Sequence, residues 1–276
     1  MPRDLIAIGD VMLDGTLPVP VPGRRIHGRI ELRPGGSAVN AALAAARLGA
    51  RTAVVGRIGT DAAGRLVADA LASAGVEDLL ARDEAAPTGC AVVVGGNAVV
   101  ADPGASARFA PEDLPASLEA HAVLVSGYSL LHSGSEAAAR AALERARATW
   151  LAVDAASARL VEAFGVDRFI EATASADVLL ANADEARALT GLEGEEAALA
   201  LAGSYRVACV KLGAAGAVAA AVGSVARAST RTVERTEFFG AGDAFAAGFL
   251  VALSRGAALD RALHEGCNAA AGAIQR

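Results

Sequence analysis

Apolar runs rich in Val, Ile and Leu alternate along the chain with alanine-rich stretches of helical length: 5–8, 52–58, 122–126, 150–153, 178–180, 207–210 and 217–222. Most of these runs are continuously apolar, as strands buried on both faces are. They predict a three-layer α/β fold, a mostly parallel central sheet with helices on each side. Two segments break the rhythm. Residues 17–32 carry Pro18, Pro20, Pro22 and Gly23 and then alternate polar and apolar positions, and residues 90–101 are Val-rich around Gly95-Gly96-Asn97, a hairpin signal. Both predict short strands outside the main sheet, forming a small β lid. Ile26, Ile30, Val92 and Val94 in these segments need burial that so small a lid does not supply, so pairing with a second copy is expected. No repeat or low-complexity linker divides 1–276, which reads as one domain with an inserted lid.

Composition narrows the function classes. With 276 residues, 54% hydrophobic, the chain can build a core without disulfides or metal. The longest uncharged run, 85–101, is interrupted by Pro87, Gly89, Gly95 and Gly96, so no membrane span is expected. No basic stretch precedes an apolar leader at the start, and a cytoplasmic location is expected. The net charge is −6 without a basic stripe, which speaks against a nucleic-acid partner. Lys211, the only lysine, lies between Val210 and Leu212 and so belongs to no P-loop. Cys90, Cys209 and Cys267 are far apart, and His27, His121, His132 and His264 form no close pair, so a zinc site is not expected. Neither GxSxG nor a GxGxxG after the first strand is present, against a serine hydrolase and a dinucleotide-dependent dehydrogenase.

Three places can carry chemistry. Phe239-Gly240-Ala241-Gly242-Asp243 runs into an apolar helix over 244–253. Small residues at 240–242 let backbone N–H groups approach an anion at a helix N-terminus, and Asp243 sets a carboxylate beside it, suited to take a proton from an attacking hydroxyl. An acid in a helix's first turn equally serves to stabilise that helix. Pro34-Gly35-Gly36-Ser37-Ala38-Val39-Asn40 opens a second helix, with Ser37 as the expected N-cap and Asn40 one turn in, a set that suits a polyol or is simply a turn. Asp10 and Asp14 follow the first strand, where carboxylates of parallel sheets face the ligand crevice or sit in a solvated turn.

Taken in order, Gly9 to Asp14, Gly35-Gly36 to Asn40, Gly56-Arg57-Ile58-Gly59-Thr60-Asp61 with Gly64, Asn182-Ala183-Asp184-Glu185, Lys211-Leu212-Gly213 with Gly216, and Gly240 to Asp243 resemble the ribokinase-like, or PfkB, carbohydrate kinases over nearly the whole chain. The resemblance implies a mostly parallel sheet with a β lid and transfer of the ATP γ-phosphate to a hydroxyl of a sugar or sugar acid. A nucleoside acceptor, or a ligand-binding regulatory protein without turnover, are the alternatives. It implies Asp243 as catalytic base, the amides of Gly240, Ala241 and Gly242 as anion hole, and Asp14, Gly35, Gly36, Ser37 and Asn40 at the acceptor. Asn182, Glu185, Lys211, Gly213, Gly216 and Asn268 are implied at the nucleotide, with Glu185 reaching Mg2+ through water.

The chain departs from the family pattern in three places. Glu237-Phe238-Phe239 stands where relatives carry Asp-Thr and one further residue before Gly-Ala-Gly-Asp. No lysine follows Gly35-Gly36, which argues against close identity to a pentose kinase. The sequence reads to Arg276 soon after Asn268, without the glycine-containing loop that helps relatives bind a monovalent cation, so weak potassium dependence is expected.

Overall fold

The computed structural model describes residues 2–17, 30–94, 98–231 and 240–274. Among these residues nine strands form the central sheet, in the order β13-β12-β11-β10-β9-β8-β1-β4-β5. They are β1 (Arg3–Ile8), β4 (Thr52–Gly59), β5 (Glu77–Asp83), β8 (Glu119–Ser126), β9 (Arg147–Asp154), β10 (Val178–Asn182), β11 (Val207–Lys211), β12 (Ala217–Ala221) and β13 (Ser224–Ala228). All pairings from β11 to β5 are parallel, and β12 and β13 close one edge as an antiparallel hairpin. Successive residues of a strand point to opposite faces. In β1, Leu5 and Ala7 therefore join the core that packs on the Ser37–Arg47 and Ala241–Ser254 helices, while Ile6 and Ile8 join the core under the Glu136–Arg145 and Ala183–Thr190 helices. Burial on both faces is why these strands read as unbroken apolar runs.

The second sheet has four strands in the order β3-β2-β6-β7: β2 (Met12–Leu17), β3 (Glu31–Gly35), β6 (Thr88–Val94) and β7 (Ala98–Gly104). The lid thus begins at Met12 and Thr88, ahead of the expected 17 and 90, because Met12–Leu17 pairs with both Glu31–Gly35 and Thr88–Val94. Residues 18–29, with Ile26, and the Gly95-Gly96-Asn97 turn lie outside the described residues. The sheet's two faces differ. Asp14, Ala91 and Ala101 are in register on the side toward the main body, whereas Leu32, Gly15, Val92 and Val100 are in register on the other. On that outer side Ile30, Leu32 and Val100 are 62%, 56% and 70% exposed. No helix among the described residues is long and apolar enough to cross a membrane.

Candidate active site

Parallel strands bring their C-terminal ends to one edge, and ligands bind there, at the point where the strand order reverses. Here β1 is that point, with β4 on one side and β8 on the other. Asp10 follows β1, while Ser126, Asp154, Asn182 and Lys211 end β8, β9, β10 and β11, with Ser126 in register with Asp154 and Asn182 with Lys211. Together with the inner face of the lid they line a cavity of about 530 Å3.

One half of this cavity is held by two aspartates. Asp10 accepts from the Ser126 hydroxyl at 2.7 Å and from the Ser37 backbone N–H at 2.8 Å. Asp14, on β2, is only 6% exposed, and its Oδ1 has no hydrogen-bond partner among the described residues. Burial first, and then the charge of Asp10, push its carboxyl up to about 7. Opposite it, a Cβ on Gly35 would sit 2.0 Å from the Asp14 carboxylate, so only glycine leaves room for that group. Gly36, with φ of 85°, is the N-cap of the Ser37–Arg47 helix. This corrects the expected cap at Ser37: the left-handed turn falls one residue earlier, and Asp10 satisfies the Ser37 N–H from outside the helix.

Asn40, one turn into that helix, donates from Nδ2 to Asp243 Oδ2 at 3.0 Å. Asp243 lies in the first turn of the Ala241–Ser254 helix, whose N-cap is the left-handed Gly240. Burial, then the nearby Asp154 charge, raise Asp243 to about 7, while Asn40 and Lys211 pull the other way. Lys211 donates to both Asp154 oxygens, at 2.7 and 3.0 Å. Its ammonium is held above the usual lysine range although burial opposes this, because Asp154, Glu185 and Asp243 surround it. A Cβ on Gly242 would come within 3.6 Å of Lys211 Nζ, which places the ammonium against the helix N-terminus.

Asn182 and Glu185 form a reciprocal cap for the Ala183–Thr190 helix. Asn182 N and Nδ2 donate to the two Glu185 oxygens at 2.7 and 2.6 Å, and Glu185 N donates to Asn182 Oδ1 at 2.9 Å. Burial raises the Glu185 carboxyl to about 7, against the pull of Lys211.

Of the residues expected at the site, Asp14, Gly36, Ser37, Asn40, Asn182, Glu185, Lys211, Gly240, Gly242 and Asp243 line this one cavity. Gly35 lies behind Asp14, and Ala241 is the first residue of its helix without lining the cavity. Gly213 and Gly216 shape the turn between β11 and β12, where the Gly216 N–H bonds back to the Gly213 carbonyl. Asn268 is exposed on the Leu259–Ile274 helix, away from the cavity lining. Phe239 and the Glu237-Phe238 departure are outside the described residues. Sequence reasoning missed Asp154, Ser126 and His132. A carboxylate directly after the apolar run 150–153 was a usable signal, by the logic that singled out Asp10. Among the described residues no three of His, Cys, Asp and Glu are grouped to hold a metal directly.

The chain has measurable relatives. It is 27% identical to a ribokinase of Haemophilus influenzae, an alignment covering 98% of this chain and 92% of that protein. Its fold superimposes on adenosine kinase from Sinorhizobium meliloti with a TM-score of 0.91, at 24% identity, covering 100% of this chain and 95% of the other. Aminoimidazole riboside kinase from Salmonella enterica, solved with aminoimidazole riboside and an ATP analog, gives 0.83 at 23% identity, covering 99% and 94%. The sequence model described as pfkB family carbohydrate kinase matches residues 2–276. The chain therefore belongs to the pfkB family of carbohydrate kinases, phosphotransferases that take an alcohol group as acceptor.

Proposed function

We propose that the protein transfers the γ-phosphate of ATP to a hydroxyl of a sugar-like acceptor, with Asp243 as the general base. The observation that carries this reading is the position of Asp243. It lies half-buried in the first turn of its helix, lining one cavity with Asp14, whose free acceptor atom suits a hydroxyl, and with the Lys211–Asp154 pair. Asp243 takes the proton as the acceptor oxygen bonds to the γ-phosphorus, and the bond to the oxygen bridging the β- and γ-phosphates breaks, leaving ADP. Asn40 holds one carboxylate oxygen in place and leaves the other for that proton. The N–H groups of Gly240 and Gly242, which line the cavity and have no partners inside the helix, stabilise charge on the moving phosphoryl, and Lys211 adds a fixed positive charge beside them.

Magnesium would neutralise the charge of the β- and γ-phosphates. Each Glu185 oxygen accepts one hydrogen bond from Asn182, and the carboxylate, which lines the cavity, keeps acceptor capacity that fits an ion retaining most of its water. Gly213, Gly216 and Asn268 are given no role in this step. A second copy of the chain is the proposed partner of the lid's outer face.

The reading is tested by ADP release from ATP with a broad acceptor panel, with and without EDTA. Acceptor-dependent release that disappears on chelation is expected. Acceptor binding without any release would instead identify a ligand-binding protein that has lost turnover.

A further inference from the structure

Resting on the kinase reading, we propose that the acceptor is an uncharged nucleoside: a polyol whose sugar hydroxyls meet Asp14 and whose base lies on an apolar wall and accepts a hydrogen bond from His132. The charge of the cavity comes first. Among the described residues that line it, Lys211 is the only cation, and Asp154 occupies it. The acceptor half presents the carboxylates of Asp10 and Asp14 instead. Arg33 is in register with Asp14 in the lid, but its guanidinium is ion-paired with Glu31 and it does not line the cavity. A sugar acid or sugar phosphate would bring its anion toward two carboxylates with no free cation among these residues, and like charges at such range disfavour binding. An uncharged hydroxyl donor instead completes the unpartnered Asp14 Oδ1.

Shape and polarity come second. Val99, Ala101 and Pro103 alternate along β7 on its cavity side, and Ala107 and Leu131 continue that wall. A free sugar is polar all round and leaves hydroxyls unpaired against such a surface, whereas a flat base covers it. His132, which lines the same cavity, has its donor fixed by a local contact. Nδ1 of His132 accepts the Gly134 N–H at 3.1 Å, so the neutral ring carries its proton on Nε2. A ring nitrogen or carbonyl of a base accepts from that N–H.

The test measures kcat/KM, and in parallel affinity by calorimetry, for purine and pyrimidine nucleosides, free pentose and hexose, an aldonic acid and a hexose phosphate. At least one nucleoside is expected to exceed every free sugar by about tenfold or more and the anions by about 100-fold, sizes typical of a site whose polar groups find or lose a partner. An anionic acceptor ranking first, or a free sugar equal to the best nucleoside, overturns the proposal. His132→Ala should raise KM about five- to tenfold for the nucleoside with kcat nearly unchanged, and leave the free sugar as it was. An equal effect on both removes His132 from specificity. If no acceptor releases ADP, the kinase reading fails, and the calorimetric ranking still decides the ligand class.

Discussion

The two sheets manage their apolar surface in opposite ways. The inner strands of the central sheet are covered on both faces and reach the cavity with polar residues at their C-terminal ends, where Asp154, Asn182 and Lys211 are already paired with protein partners. The lid sheet covers one face, leaves Leu32 and Val100 exposed on the other, and carries Asp14, whose Oδ1 has no partner among the described residues. The difference leaves the strand-end side of the cavity with its polar groups paired, and the lid side with unmet bonding capacity. A paired group positions and neutralises, while an unpaired one waits for a ligand.

The largest expected effect lies at the junction of the two regions. Asp243→Asn keeps the shape and the Asn40 contact but removes the proton acceptor, so kcat should fall by about 10²–10⁴-fold with ATP affinity retained. Single-turnover kinetics with calorimetric ATP binding check this, and a rate within a few-fold of the parent would take the base role away from Asp243. Next comes the paired end. Lys211→Met leaves Asp154 as an uncompensated charge whose side chain is 13% exposed, which should cost about 3–5 kcal/mol of stability and about 10²-fold in kcat. Adding Asp154→Leu should restore most of the melting temperature but none of the activity. Restored activity in the double variant would show that Lys211 served only the fold.

Much of the central sheet was legible because burial on both faces writes an unbroken apolar run. Strands β5 and β13 were not, since edge positions tolerate charge: Glu77, Asp78, Arg82 and Asp83 fill β5, and Arg227 sits in β13. Strand β2 hid for a related reason. Met-Leu-Asp-Gly-Thr-Leu carries a cavity-lining carboxylate and a glycine where a core strand would carry Val or Ile. At the site, glycine-flanked motifs announced Asp243 and Asn40, and the resemblance to the family announced Asn182 and Glu185. Asp154 carries the same signal as Asp10, an acid directly after an apolar run, but its pairing with Lys211 joins positions far apart in sequence, and the turn in which His132 accepts from Gly134 N–H has no motif, so neither pairing was legible.

A smaller effect should appear with pH. Asp14, Glu185 and Asp243 all stand near 7 in the folded protein, well above the usual carboxylate range near 4. Between about pH 4 and 7 the folded state therefore holds more protons than the unfolded chain, and these groups remove stability from the ligand-free protein as pH rises through that window. Above about 7 their contribution is constant. Asp243→Asn should flatten part of this slope in melting temperature against pH, whereas a slope equal to the parent's would mean that Asp243 is not raised. In activity the sign is reversed. The base must be deprotonated, so kcat/KM should drop about tenfold per pH unit below about 7.

The smallest effect on catalysis, and the sharpest test of the contrast between the sheets, concerns the lid's outer row. Leu32, Gly15, Val92 and Val100 lie side by side across all four strands, and a contiguous apolar strip of this kind is costly to leave in water. No helix of this chain among the described residues covers Val100, which is 70% exposed. A second copy supplying the same strip would bury both. Val100→Lys places a charge on that row without touching Val99 or Ala101, which face the cavity. Sedimentation velocity should show the parent as a dimer and the variant shifted toward monomer, with kcat changed less than about threefold, since surface substitutions away from a site move little else. A parent that sediments as a monomer at tens of micromolar, on the order of the concentrations at which weak dimers form, would mean that the outer face is simply exposed.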